Sequence, residues 1–158
     1  MHSGEQPEAE PEPEPEPANI GTSCLFCKIV AGEIPATVIA SDERTFTFLD
    51  INPATPGHAL VVPRAHARDL LEVNADDLSA VATAAQRVAR QQVQALGATG
   101  VNLINSCGAD AWQDVFHFHM HVVPRFKVDE LTPPWTASPA NQEELEAIGA
   151  KLRRAVAD

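Results

Sequence analysis

Positive charge is sparse in this 158-residue sequence: 11 Lys and Arg stand against 22 Asp and Glu, a formal net charge of −11. A general nucleic-acid binder needs a basic face to neutralise phosphates, so that class is excluded and no nucleic-acid partner is expected. Cysteine is scarce too. Three residues, an odd number, cannot build a disulfide-stapled scaffold and fit a reducing compartment. Long apolar runs are missing, none approaching the roughly 18 residues that a membrane span needs, so no membrane partner is expected. The N-terminus has no apolar stretch of the kind that opens a secretory signal, and the expected location is cytoplasmic.

The acids that are present are unevenly placed. Residues 1–20 hold six of the 22, from Glu5 to Glu16, and no Lys or Arg, which leaves 16 acids and 11 bases for the rest, a net of −5. Between Glu8 and Pro17 glutamate and proline nearly alternate. Proline removes backbone donors, glutamates repel one another, and neither offers much apolar surface, so residues 1–21 read as a disordered, extended tail. Residues 22–135 read as the folded body, and 136–158 as a C-terminal helical extension.

Within the body, Cys24–Ala31 reads as a short helix stopped by Gly32. Strands are expected over Thr37–Ser41, Thr45–Asp50, His58–Val62, Gly100–Asn105 and Val115–Val123. Asn74–Leu96 is a long helix with Asn74 as N-cap, Asp76 and Asp77 in its first turn, and Gly97 at its end. Asn141 caps a last helix whose inner face is expected to carry Leu145, Ile148, Leu152 and Val156. Five strands without βαβ alternation indicate an α+β fold on an antiparallel sheet.

Three of the six histidines alternate in Phe116-His117-Phe118-His119-Met120-His121-Val122. On a strand, alternate side chains share a face, so the imidazoles are expected on one side and the apolar residues on the core side. Three imidazoles in a row on a half-buried strand call for a use, because each ring needs a hydrogen-bond partner. One use is metal ligation. The outer two histidines of a strand sit about 13 Å apart at the backbone, which suits one or two ligands better than three. The other is nucleophilic and acid–base catalysis, one ring attacking and its neighbours orienting or moving protons.

The ordered motifs resemble the histidine triad (HIT) family of nucleotide hydrolases and transferases. His117-Phe-His119-Met-His121-Val-Val fits the family's alternating triad, with Gln113 and Val115 upstream. Phe46–Pro53 is similar to its acidic nucleotide loop, Gly57–His66 to its Gly-His-x-Leu-Val-x-Pro segment, and Cys24–Ile29 with Gly32–Pro35 to its N-terminal signature. The resemblance implies a five-stranded antiparallel sheet with two main helices, to which the C-terminal helix is added, and a homodimer. It implies a purine nucleotide or nucleotide conjugate as ligand, with phosphoramidate or dinucleoside polyphosphate hydrolysis at the α-phosphate through a nucleotidyl-His119 intermediate. His121 would contact phosphate and leaving group, and His117 would orient its neighbours. Asp50 would receive the ribose hydroxyls; the residue reading alone also allows it to cap a turn. Asn105 and Gln113 would lie on the phosphate side. Phe26, Leu25, Ile29, Phe48, Leu49 and Ile51 would form the base pocket, a role that competes with plain core packing. No metal is needed for that step.

Cys24 and Cys27 have a two-ligand spacing, which leaves buried thiols and a metal site both open. By resemblance to a bacterial branch of the family, His66 and His117 would complete a closed, structural zinc site with them. Two features depart from the pattern. Asp114 stands where Ser or Thr usually contacts phosphate, and an ionised carboxylate cannot donate. The loop Ser106–Trp112 is one residue longer and carries Trp112 where glycine is frequent. Two other functions are carried: a nucleotide-binding regulatory module with little turnover, which Asp114 favours, and a hydrolase using three histidines on one catalytic zinc.

Overall fold

A computed structural model describes residues 23–155. The tail assignment over 1–21 and Val156 lie outside the described residues. The chain runs α1 (Leu25–Val30), β1 (Val38–Ser41), β2 (Thr45–Leu49), β3 (Ala59–Pro63), α2 (Ala75–Leu96), β4 (Gly100–Ile104), a 3-10 turn at Ala109–Ala111, β5 (Met120–Arg125) and α3 (Gln142–Arg154). The strands form one antiparallel sheet in the order β1-β2-β3-β5-β4, the architecture expected from the sequence.

Local chemistry sets the helix ends. The Asn74 side chain accepts from the Asp77 N–H at 2.8 Å, satisfying a donor that α2 leaves unpaired, and Gly97 closes the helix in the left-handed region at φ 71°. Both faces of β3 are covered, so all five of its residues are buried. On one face Ala59, Val61, Phe118 and Val122 pack under Val81, Ala85 and Val88 of α2. On the other, Phe48, Leu60 and Val62 meet Phe26 and Ile29 of α1. Gln92 is a polar exception in this core: its amide donates to the carbonyls of Gly57 and Val122, both at 2.9 Å, tying α2 to the sheet.

Two expectations need correction. The fifth strand begins at Met120, not Val115. The Phe118 N–H is taken by the Ala67 carbonyl at 2.7 Å, and the His117 carbonyl by the His119 ring at 2.6 Å, so neither is left for a strand ladder. The alternation nevertheless survives: Phe118, Met120 and Val122 face the α2 core, while His117 and His119 meet Phe26 across the sheet. The second correction concerns α3. It has no buried residue; Leu145 and Ile148 are about half exposed and Leu152 is 71% exposed, so the expected inner face is uncovered.

Candidate active site and cysteine–histidine cluster

A cavity opens on the α1 face of the sheet. Leu25, Phe26, Ile29, Ile34, Phe48 and Leu60 make its apolar part, and Asp50, Asn52, Asp114, His119 and His121 its polar part. Every residue expected in the base pocket lines it, including Leu49 and Ile51. Phe26 and Phe48 line the cavity and also belong to the core on that face. Phe26 stands edge-on to the His119 ring, centroids 5.1 Å apart, which restricts the imidazole.

The hydrogen bonds fix how each triad ring is protonated. His119 Nδ1 lies 2.6 Å from the His117 carbonyl oxygen, which can only accept. Nδ1 therefore carries a proton, so in the neutral ring the lone pair sits on Nε2 of a residue that lines the cavity. His58 Nδ1 accepts from the Ala54 N–H at 3.0 Å, so His58 in its neutral form bears its proton on Nε2. That proton faces His121 Nδ1 at 2.9 Å. His121 is thus an acceptor at Nδ1 and, when neutral, a donor at Nε2. Burial pushes the His121 pKa down to about 4, helped by His119 and His58 and opposed by Asp50 and Asp114. Burial likewise lowers His58, against the pull of Asp50.

The sequence reading assigned His58 no role. Its signal was there: a histidine opening an apolar strand has to find a partner. Asp50 caps a turn, one of the two purposes weighed for it, and it also lines the cavity. Its Oδ1 accepts from the Asn52 N–H at 2.8 Å, an Asx turn, while Oδ2 lies 3.7 Å from His58 Nε2 at the cavity wall. Asn105 and Gln113 do not line the cavity. Asn105 Nδ2 donates to the His119 carbonyl at 2.9 Å, holding the backbone of that residue. Gln113 is buried: its amide donates to the carbonyls of Arg68 and Val115 and accepts from the Gly108 N–H. Both of its amide hydrogens are engaged, so it braces the loop leading to the triad. That loop turns at Trp112, which holds a left-handed φ of 70° and is 68% exposed.

His117 points elsewhere. Its Nε2–H donates to the Pro63 carbonyl at 2.9 Å, which aims the Nδ1 lone pair at the cysteines. His117 Nδ1 is 3.4 Å from Cys24 Sγ and 3.5 Å from Cys27 Sγ, and His66 Nδ1 is 3.4 Å from Cys27 Sγ and 3.2 Å from His117 Nδ1. A tetrahedral zinc with ordinary Zn–S and Zn–N bonds has S···N edges of about 3.5 Å and N···N edges of about 3.3 Å. The donor set fits. Burial and the neighbouring Cys24 thiol push Cys27 up to about 11, so the thiolate needs a cation beside it. Burial takes His117 down to about 4, and a neutral imidazole is the ligand form.

Three triad histidines on a single metal is the arrangement this geometry contradicts. Their Nδ1 atoms face three different partners: the cysteines, a peptide carbonyl and His58. Asp50, His58 and His121 do converge, but 2.9 Å between the two nitrogens is a hydrogen-bond length, shorter than the edge of a metal site.

Known proteins share this arrangement of elements. The Bacillus subtilis protein hit is 35% identical over 138 residues, covering 85% of this chain and 95% of its own. Adenosine 5′-monophosphoramidase hnt1 of Schizosaccharomyces pombe is 34% identical over 131 residues, covering 82% of this chain and 96% of its own. The crystal structure of a Zn-bound histidine triad family protein from Mycobacterium smegmatis superposes with a TM-score of 0.69 at 39% identity, over 84% of this chain and 97% of that one. A profile of the HIT domain matches residues 31–128, from the end of α1 past the last strand, and with the triad rings oriented as described the chain belongs to the HIT domain family.

Proposed function

We propose that the protein is a purine-nucleotide hydrolase or nucleotidyl transferase that works through a covalent nucleotidyl-His119. The observation that carries this reading is the His119 Nδ1–His117 carbonyl hydrogen bond, which selects the tautomer whose lone pair is on Nε2, in a residue that lines the cavity. Neutral imidazole is an effective nucleophile near neutral pH. In the proposed step the His119 Nε2–phosphorus bond forms as the bond to the leaving group breaks, and the leaving group departs with that electron pair and one proton. That proton comes from solvent, and the neutral His121, which accepts from His58 at Nδ1, is placed to hydrogen-bond the leaving atom through its Nε2–H. Water then attacks phosphorus as the His119 Nε2–phosphorus bond breaks, its proton passes to solvent, and the nucleoside monophosphate leaves with His119 Nε2 recovering its electron pair. Asp50 would receive the ribose hydroxyls, with the base between Phe26, Ile29 and Phe48. The phosphoramidase name of the fission-yeast relative supports this class of reaction.

Zinc in the Cys24, Cys27, His66, His117 set is part of the same proposal, as a structural ion that would fasten α1 to the sheet. The working unit is proposed to be a homodimer, supported by the open edge strand β4, where Leu103 and Ile104 are about half exposed. Cytoplasmic residence accords with three free thiols. No helix among the described residues is long and apolar enough to cross a membrane.

The test is rapid quenching of the protein with an adenosine 5′-phosphoramidate, followed by mass spectrometry. A nucleotidyl adduct is expected on the wild type and not on His119→Ala, which should also lose turnover; full activity in His119→Ala sinks the mechanism.

A further inference from the structure

The leaving group is the part of the substrate that the reading above does not define, and Asp114 bears on it. Asp114 lines the same cavity as His119 and His121, and no Lys or Arg lines that cavity. Its carboxylate has no hydrogen bond or ion pair among the described residues. The loop that carries it is held in place. Gln113, next to it in sequence, is buried and pinned by three hydrogen bonds to Gly108, Arg68 and Val115. Asp114 therefore presents an exposed carboxylate, without a hydrogen-bond or ion-pair partner among the described residues, from a braced loop on the cavity wall.

Ribose recognition does not need this charge, since the proposed function gives that role to Asp50, which stands beside Asn52 and His58. The nucleotide's own phosphate does not want it either, because like charges repel. What remains is the group on the far side of phosphorus from His119. A polyphosphate leaving group would bring two or more further negative charges into a cavity lined by carboxylates and no cation. An amine leaves without negative charge once protonated, and an amine bearing a second, ammonium group would be attracted.

We propose that Asp114 is the specificity-determining residue of the leaving-group side, and that the substrate class is a nucleoside 5′-phosphoramidate whose amine carries an additional positive charge. This rests on the hydrolase reading and adds to it the charge of the group released.

The test compares adenosine 5′-phosphoramidates of three size-matched amines, with a distal ammonium, a distal neutral group or a distal carboxylate, alongside a diadenosine polyphosphate. Values of kcat/KM are measured on wild type, Asp114→Asn and Asp114→Ser. Because Asp114 is exposed to solvent, one unit of charge is expected to change kcat/KM by about threefold to fivefold, so the ammonium substrate should lead the carboxylate one by about tenfold or more. The polyphosphate should be slowest. In Asp114→Asn and Asp114→Ser the ammonium-to-carboxylate ratio should fall toward one, and in the wild type it should shrink at high salt. A ratio that is the same in wild type and both variants overturns the role of Asp114 while leaving the hydrolase intact. Absence of turnover on every conjugate, with no adduct at His119, overturns the hydrolase reading and the leaving-group assignment together.

Discussion

His58 Nε2 and His121 Nδ1 lie 2.9 Å apart and share one proton, which the Ala54 N–H assigns to His58 by occupying the other ring nitrogen of that residue. A backbone donor in the loop between β2 and β3 thus decides which nitrogen of His121 can meet a substrate. The consequence is measurable, because it makes His58 a positioning residue outside the triad.

His58→Phe keeps an aromatic ring in the buried space and removes the donor. We expect kcat to fall by about tenfold to a hundredfold with KM little changed. Nitrogen chemical shifts of His121 should move from the Nε2–H tautomer to a mixture; an unaltered tautomer with unaltered kcat would falsify the assignment.

Zinc should be present at about one ion per chain in protein purified without a histidine tag. Cys27→Ser should lose the metal and lower the melting temperature by roughly 10 °C, the shift that about 3 kcal/mol produces in a domain of this size. Metal analysis with calorimetry checks both, and a zinc content well below one in the wild type defeats the assignment.

Acid should destabilise the protein over a defined window. His117 and His121 are each pushed from 6.5 down to about 4 in the folded chain, mainly by burial. Between those values the unfolded chain binds more protons than the folded one, so stability is full above about 6.5 and declines as pH falls toward 4. Loss of zinc from a protonated His117 would act in the same direction. Urea unfolding at pH 7.0, 5.5 and 4.5 reads this directly; flat stability across the series contradicts the buried, neutral rings.

Asp50→Asn should weaken binding of adenosine monophosphate about tenfold, the usual scale for losing a hydrogen bond to a charged group. The variant should bind the 2′,3′-dideoxy nucleotide about as well as the wild type does. Equal losses on both nucleotides, by calorimetric titration, would show that Asp50 acts only through its turn with Asn52.

Where structure follows from neighbours in the chain, the sequence was a sufficient guide. Asn74 and Gly97 bound α2 because a cap needs only its own first or last turn. The apolar alternation around Phe118 found the core side because a backbone close to extended still alternates. Cys24, Cys27, His66 and His117 came together as the family resemblance implied. What could not be read depends on partners distant in sequence. The start of β5 is set by Ala67 and by a histidine ring bonding back to the chain. Gln113 looked like a phosphate donor, yet its hydrogens are taken by Arg68 and Val115. The periodicity of α3 marks an apolar stripe but not what lies over it, and His58 acquires meaning only when folding brings it to His121.

His117 contributes its ring to one place and its carbonyl to another: the imidazole faces Cys24 and Cys27, the peptide oxygen holds His119. Anyone transplanting the proposed reactive centre onto a new scaffold would therefore need a correctly aimed carbonyl two residues before the proposed nucleophile, and the first imidazole only if the cysteine cluster were carried along with it.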